Sequence, residues 1–223
     1  MPSKKNKSTY SSRQLFAALV VISLVLWILY RSLFNFPVIF DETVGKALFF
    51  GLPIWIYLSS TGQEKVVESL SLGKMKQGLL RGLAMGGLFG FVGILISIVM
   101  KGPALDVVRA NLFGANQFWW EFLLALPTAF WESLFFFAFI QTALKDQFKK
   151  MDTTKIILIS SLVFLLFHIP NSILRFQGTG IWVQLWLMSL FALGQSILFH
   201  GSKNTYTIIF THAIWGMVLL IHF

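Results

Sequence analysis

The stretch Leu123–Leu144, LLALPTAFWESLFFFAFIQTAL, carries a single charge, Glu132. About 20 apolar residues are enough to cross the hydrocarbon core of a bilayer as a helix. An acidic side chain at the centre of such a helix costs roughly 2.5–3.5 kcal/mol on insertion scales. Where helices only need a polar contact, a neutral Gln or Ser provides it more cheaply. A carboxylate kept in this position is a functional candidate, provided the rest of the chain is also built for a membrane.

The composition meets that condition. The 223-residue chain is 56% hydrophobic and 12% charged, against roughly 25% charged for a soluble domain. Most of its charges cluster between seven charge-poor windows, at about 14–36, 44–62, 80–100, 117–144, 155–174, 178–200 and 204–222. The expectation is an all-α polytopic membrane helix bundle of about seven transmembrane helices. The second window is short and interrupted by GLPIW (51–55). With no cysteine in the chain, disulfides, thiol catalysis and S-acylation are excluded.

A net charge of +9 in a soluble protein would suggest nucleic acid. Here the positive-inside rule accounts for it, and no nucleic-acid partner is expected. With the N-terminus cytoplasmic, the inner segments carry Lys4, Lys5, Lys7, Arg13, Lys65, Lys74, Lys76, Arg81, Lys145, Lys149, Lys150, Lys155 and Lys203, 13 of the 18 basic residues. Arg31, Lys46, Lys101, Arg109 and Arg175 fall outside. The basic leader MPSKKNKSTYSSRQ lacks a small-residue cleavage signature and reads as an uncleaved signal anchor. Trp119 and Trp120 then lie in the outer aromatic belt, with Glu121 beside them as an interfacial anchor. Gly82, Gly86 and Gly90 recur every four residues and predict close helix packing. EKVVESLSLGKMK (64–76) reads either as an interfacial turn with Val66, Val67 and Leu70 toward lipid or as a solvated loop.

Three ionisable residues stand inside the windows: Glu132, His168 and His212. Glu132 is 13 positions from Lys145, and His168 is 13 from Lys155. At 1.5 Å per residue both lie about 20 Å from the inner edge, level on antiparallel neighbours. His212, nine positions from Lys203, is about 14 Å deep by the same ruler. His200 and His222, at helix ends, read as interfacial. A carboxylate and an imidazole sharing a water make a general-base pair, and a second imidazole can hold an oxyanion. Two His and one Glu are equally a zinc ligand set. Either way, hydrolysis by activated water is the reaction class. Phe164 lies one turn before His168, on the same face. Pro170 predicts that the fifth helix ends or kinks just after His168.

At these residues the chain resembles the CAAX prenyl endopeptidase and bacteriocin-processing family of intramembrane proteases. Its three helical motifs are EExxxR, FxxxH and HxxxN or HxxxD. ESLFFF (132–137) resembles the first, FLLFH (164–168) matches the second, and HAIWG (212–216) resembles the third. The resemblance implies a four-helix catalytic core at 117–223, with 1–116 as a tail and accessory helices. It implies that Glu132 and His168 activate the water and that His212 helps hold the oxyanion, with either a metal-free or a zinc-dependent mechanism. Phe164, Asn171 and Gly216 become support or substrate-binding positions. The expected substrate is a peptide or membrane protein cut near the cytoplasmic half of the membrane, which is expected to be the plasma membrane of a prokaryote.

The chain departs from the pattern at Ser133, Phe137 and Gly216. The first two are four apart, the spacing of a helical ion pair, so their joint absence is expected to be structurally neutral. Gly216 lacks the amide or carboxyl of the third motif, whose part Asn171 or Gln195 would then play. These departures support a second reading, a catalytically impaired relative acting as a membrane scaffold or immunity protein. A haem protein or a transporter is less well supported, since the halves show no pseudo-symmetric repeat.

Overall fold

The computed structural model describes residues 11–101 and 116–222; Arg109 lies outside them, as do the first ten residues. Among the described residues there is no strand, and seven long helical rods carry the fold. They are α1 (Ser12–Leu33), α2 (38–61), α3 (Met75–Lys101), α4 (116–147), α5 (Thr153–Arg175), α6 (Thr179–Ser202) and α7 (Thr205–His222). Four stretches, α1, Trp119–Gln147 of α4, α5 and α6, are long and apolar enough to cross a membrane. At 27 residues, α3 is about 40 Å long, and α7, at 18 residues, about 27 Å.

The helices bury a phenylalanine-rich interior and turn other apolar side chains outward. On α1, Phe16, Ser23, Trp27 and Tyr30 are buried, whereas Val21, Ile22, Val25, Leu26 and Leu29 are exposed. Leu158 and Leu162 of α5 and Trp182, Trp186 and Ile197 of α6 are exposed in the same way. Apolar belts of this extent are not tolerated in water, so they are the lipid-facing surface of an integral membrane protein. The centre is packed with Phe50, Phe135, Phe136, Phe137, Phe139, Phe164 and Phe167, all fully buried.

Two rods are not plain α-helices. Within α2, Asp41–Gly45 and Ala47–Gly51 are π-helical; within α4, so is Ser133–Phe139. The second rod therefore starts at Val38, earlier than the expected 44, and GLPIW does not interrupt it. Pro53 sits in the first turn of the α-helix that follows the π-turns, where a missing N–H costs little.

Other expectations are corrected locally. Pro170 neither ends nor breaks α5, which continues to Arg175. Neighbours take up backbone carbonyls around it: Trp27 Nε1 donates to Phe167 O at 3.0 Å and Ser172 Oγ to His168 O at 2.9 Å. Such outside partners are how membrane helices tolerate proline. Val66 does not face lipid but is buried in the core, while Val67 is exposed. The small-residue stripe packs α3 on α7. A Cβ built on Gly82 would stand 2.7 Å from Phe210 Cβ, and one on Gly86 2.5 Å from an Ile214 methyl.

Candidate active site

The rods bring the three sequence candidates together. Glu132 closes the α-helical part of α4, just before its π-helical segment, and its side chain is 7% exposed. Oε2 lies 3.4 Å from His168 Nε2 on α5 and 3.4 Å from His212 Nε2 on α7. His168 Nδ1 donates to the Phe164 carbonyl at 2.8 Å, which leaves Nε2 turned to the carboxylate. The Phe164 ring stacks on the His168 ring at 3.9 Å between centroids and fixes its plane. His212 Nδ1 is 3.2 Å from Ser133 Oγ, and its ring packs edge-on against Phe191 at 4.7 Å.

Sequence reading missed the other half of the site. Lys46, taken as an outer topological charge, is buried in α2, with Nζ 2.7 Å from Glu132 Oε1. It also pairs with Glu42, and the Thr128 hydroxyl donates to Glu42 in turn. Arg31 of α1 ties this side down, with Nη1 2.6 Å from Asp41 Oδ2 and Nε donating to Asn171 Oδ1 at 2.7 Å. The available signal was the Glu42/Lys46 pair, opposite charges at i,i+4 beside an apolar run.

Ser133 and Phe137 both lie in the π-helical segment of α4. Ser133 touches His212, whereas Phe137 stacks on Phe164 at 5.4 Å. Gly216 lines the cavity, and a Cβ there would meet nothing within 4 Å. Asn171 lines it too, with its carbonyl engaged by Arg31; Gln195 is buried and is not part of the lining.

A cavity of about 540 Å³ joins Glu132, His168 and His212 to Glu121, Arg175, Phe176 and Gln184. Those last four lie on the halves of α4, α5 and α6 remote from Lys145, Lys155 and Lys203. The cavity thus runs from the trio toward the helix ends opposite the basic ones. Depth counted from the basic anchors says how far in the site lies, not which end is open.

Among the described residues, no three His, Asp or Glu side chains are grouped as a metal-ion ligand set. With the Lys46 ammonium against Oε1, Glu132 faces a fixed positive charge that a zinc dication would also have to face.

Fold and site together define an integral membrane protein with a buried carboxylate–imidazole centre. Residues 114–218 match the family described as Rce1-like, type II CAAX prenyl endopeptidase. That segment, which contains Glu132, His168 and His212 but not Lys46, belongs to the CAAX protease family. No curated protein and no solved structure matches the chain.

Proposed function

We propose that the chain is an intramembrane endopeptidase in which Glu132 and His168 activate a water for attack on a peptide bond. One observation carries this reading: His168 Nε2 and Glu132 Oε2 face each other at 3.4 Å on the wall of a cavity. With His168 neutral, a water seated beside the pair on the cavity side donates to Nε2 and Oε2 and keeps a lone pair for attack. As the water oxygen bonds to the scissile carbon, its proton passes to the Glu132–His168 pair and the carbonyl oxygen becomes an oxyanion. His212 Nε2–H donates to that oxyanion, a tautomer that Ser133 sets by donating to Nδ1. The C–N bond then breaks, and the proton returns to the leaving amine.

In this reading residues 117–223 form the catalytic core, and 1–116 supply accessory helices together with Lys46. The N-terminus is cytoplasmic, so the cavity opens on the outer face of what we take to be a prokaryotic plasma membrane. The substrate is a peptide or membrane protein reached from that face. Lys149→Cys should resist an impermeant thiol reagent in intact cells while Gln177→Cys labels; the reverse would invert the orientation.

The scaffold reading keeps one specific support, Gly216, which leaves the third motif without its amide. Quantitative comparison of new peptide termini in membranes carrying the wild type or Glu132→Gln separates the two. Termini that depend on Glu132 support the protease, and identical sets support the scaffold.

A further inference from the structure

The hydrolytic step uses Oε2 of Glu132 and the two imidazoles and leaves Lys46 without a task. Yet Lys46 is as deeply buried as its partner, each side chain being 7% exposed. Its Nζ contacts Glu132 Oε1 at 2.7 Å, and Glu42 holds it from the other side, itself anchored by Thr128. The two carboxylate oxygens are thereby divided, one for the ammonium and one for His168 and His212.

Burial in an apolar medium disfavours a lone carboxylate, which takes up a proton rather than stay charged. A carboxylic acid cannot accept the proton of an attacking water. The charged groups facing Glu132 are Lys46 of α2 and, when protonated, His168 and His212; Glu42 stands behind Lys46, and Glu121 and Arg175 line the same cavity. Lys46 is the permanent cation in direct contact.

The backbone supports the same assignment independently. Lys46 stands between two π-helical turns, 41–45 and 47–51, and Glu132 directly precedes a third, Ser133–Phe139. Such turns gather at functional sites because they re-aim the side chains beside them. Here they flank both members of one ion pair.

We propose that Lys46 is the positioning residue that holds Glu132 as an ionised carboxylate inside the membrane, with Oε2 turned to the imidazoles, while Glu42 and Thr128 hold Lys46. Lys46 lines the cavity beside Glu132, acts through the charge of Glu132 and keeps its proton throughout. The inference rests on Glu132 acting as the base.

The test uses the full chain purified into liposomes at pH 7, as wild type, Lys46→Met, Lys46→Gln, Lys46→Arg and Lys46→Met/Glu132→Gln. Infrared spectra read the protonation state of Glu132. Cleavage of the substrate identified in membranes gives kcat and KM. In Lys46→Met and Lys46→Gln a protonated-acid carbonyl band is expected, absent from wild type and Lys46→Arg and removed from the Met variant by Glu132→Gln. With it kcat falls by roughly 10²–10⁴-fold, the range of a lost general base, at little change in KM, and Lys46→Arg recovers most of the loss. A folded Lys46→Met or Lys46→Gln protein with no such band and an unchanged kcat overturns the proposal. If the Met variant does not fold, Lys46→Gln, which keeps a donor without the charge, decides. If wild type and Glu132→Gln are equally inactive, the hydrolytic reading fails, and the spectra still decide whether Lys46 sets the state of Glu132.

Discussion

Two buried polar clusters along α4 and α5 differ in kind. Near Glu132, α2, α4, α5 and α7 contribute Lys46, the carboxylate and two imidazoles on the wall of a cavity. Nine positions further along α4, Gln141 Nε2 donates to Ser196 O at 2.9 Å. There Ser160 and Ser161 of α5 meet the Ser196 hydroxyl of α6 at 3.0 and 2.9 Å. The second cluster is uncharged, buried and away from the cavity. Hydroxyls and an amide therefore suffice to join three helices in this membrane, at a modest gain of about 0.6 kcal/mol per bond. The charged cluster, unlike the neutral one, stands on the wall of the cavity. The contrast argues against Glu132 as mere packing.

The largest effect is expected on the charged side. His168→Gln keeps a polar side chain but loses the imidazole acceptor at Nε2, and cleavage should fall by roughly 10²–10⁴-fold while the melting temperature stays close to wild type. A variant that cleaves normally would make the charged cluster no more catalytic than the neutral one.

Next comes Gly216→Asn. A Cβ there is unobstructed, and the new side chain lies one turn from His212 on the same face. An oxyanion donor supplies about 2.7–4 kcal/mol, so cleavage should rise by roughly two orders of magnitude. No rise, in a protein silenced by Glu132→Gln, would assign that donor to another group, with Asn171 the nearest candidate on the cavity wall.

The smallest effect concerns the turn between α6 and α7, far from the cavity. Lys203 has a left-handed backbone, φ 48°, which costs a non-glycine residue about 1 kcal/mol. Burial, with Lys145 nearby, also pushes its ammonium down to about 8 from 10.5. The protonated lysine thus works against the fold below about pH 8, and stability rises as pH climbs from there toward 10.5. Lys203→Gly should raise the melting temperature by a few degrees at pH 7 and by less at pH 10, without altering cleavage. An equal gain at both pH values would leave only the backbone effect.

What the sequence disclosed follows the same division. Glu132, His168 and His212 could be read because a charge or imidazole inside an apolar window has few structural uses, and level depths on antiparallel helices brought them together. The stripe at Gly82 and Gly86 could be read because four-residue spacing is itself the packing geometry. Lys46 could not. With its window starting at 44 it sat at the membrane edge, where lysine is ordinary, but the helix starts at Val38 and puts it eight positions in, about 12 Å. Nor did the apolar pattern announce the π-turns of α2 and α4. The cavity's open end depends on how helix ends splay, which span lengths do not encode.

The central claim is that one buried polar cluster performs chemistry while the other packs helices. Its most direct test pairs Glu132→Gln with Gln141→Leu, each purified into liposomes and assayed for cleavage and thermal unfolding. Glu132→Gln should abolish cleavage and still unfold cooperatively near the wild-type temperature. Gln141→Leu should shift unfolding by an amount corresponding to about 1 kcal/mol and still cleave. Cleavage that survives Glu132→Gln, or that falls in both variants only in proportion to lost stability, would contradict the account.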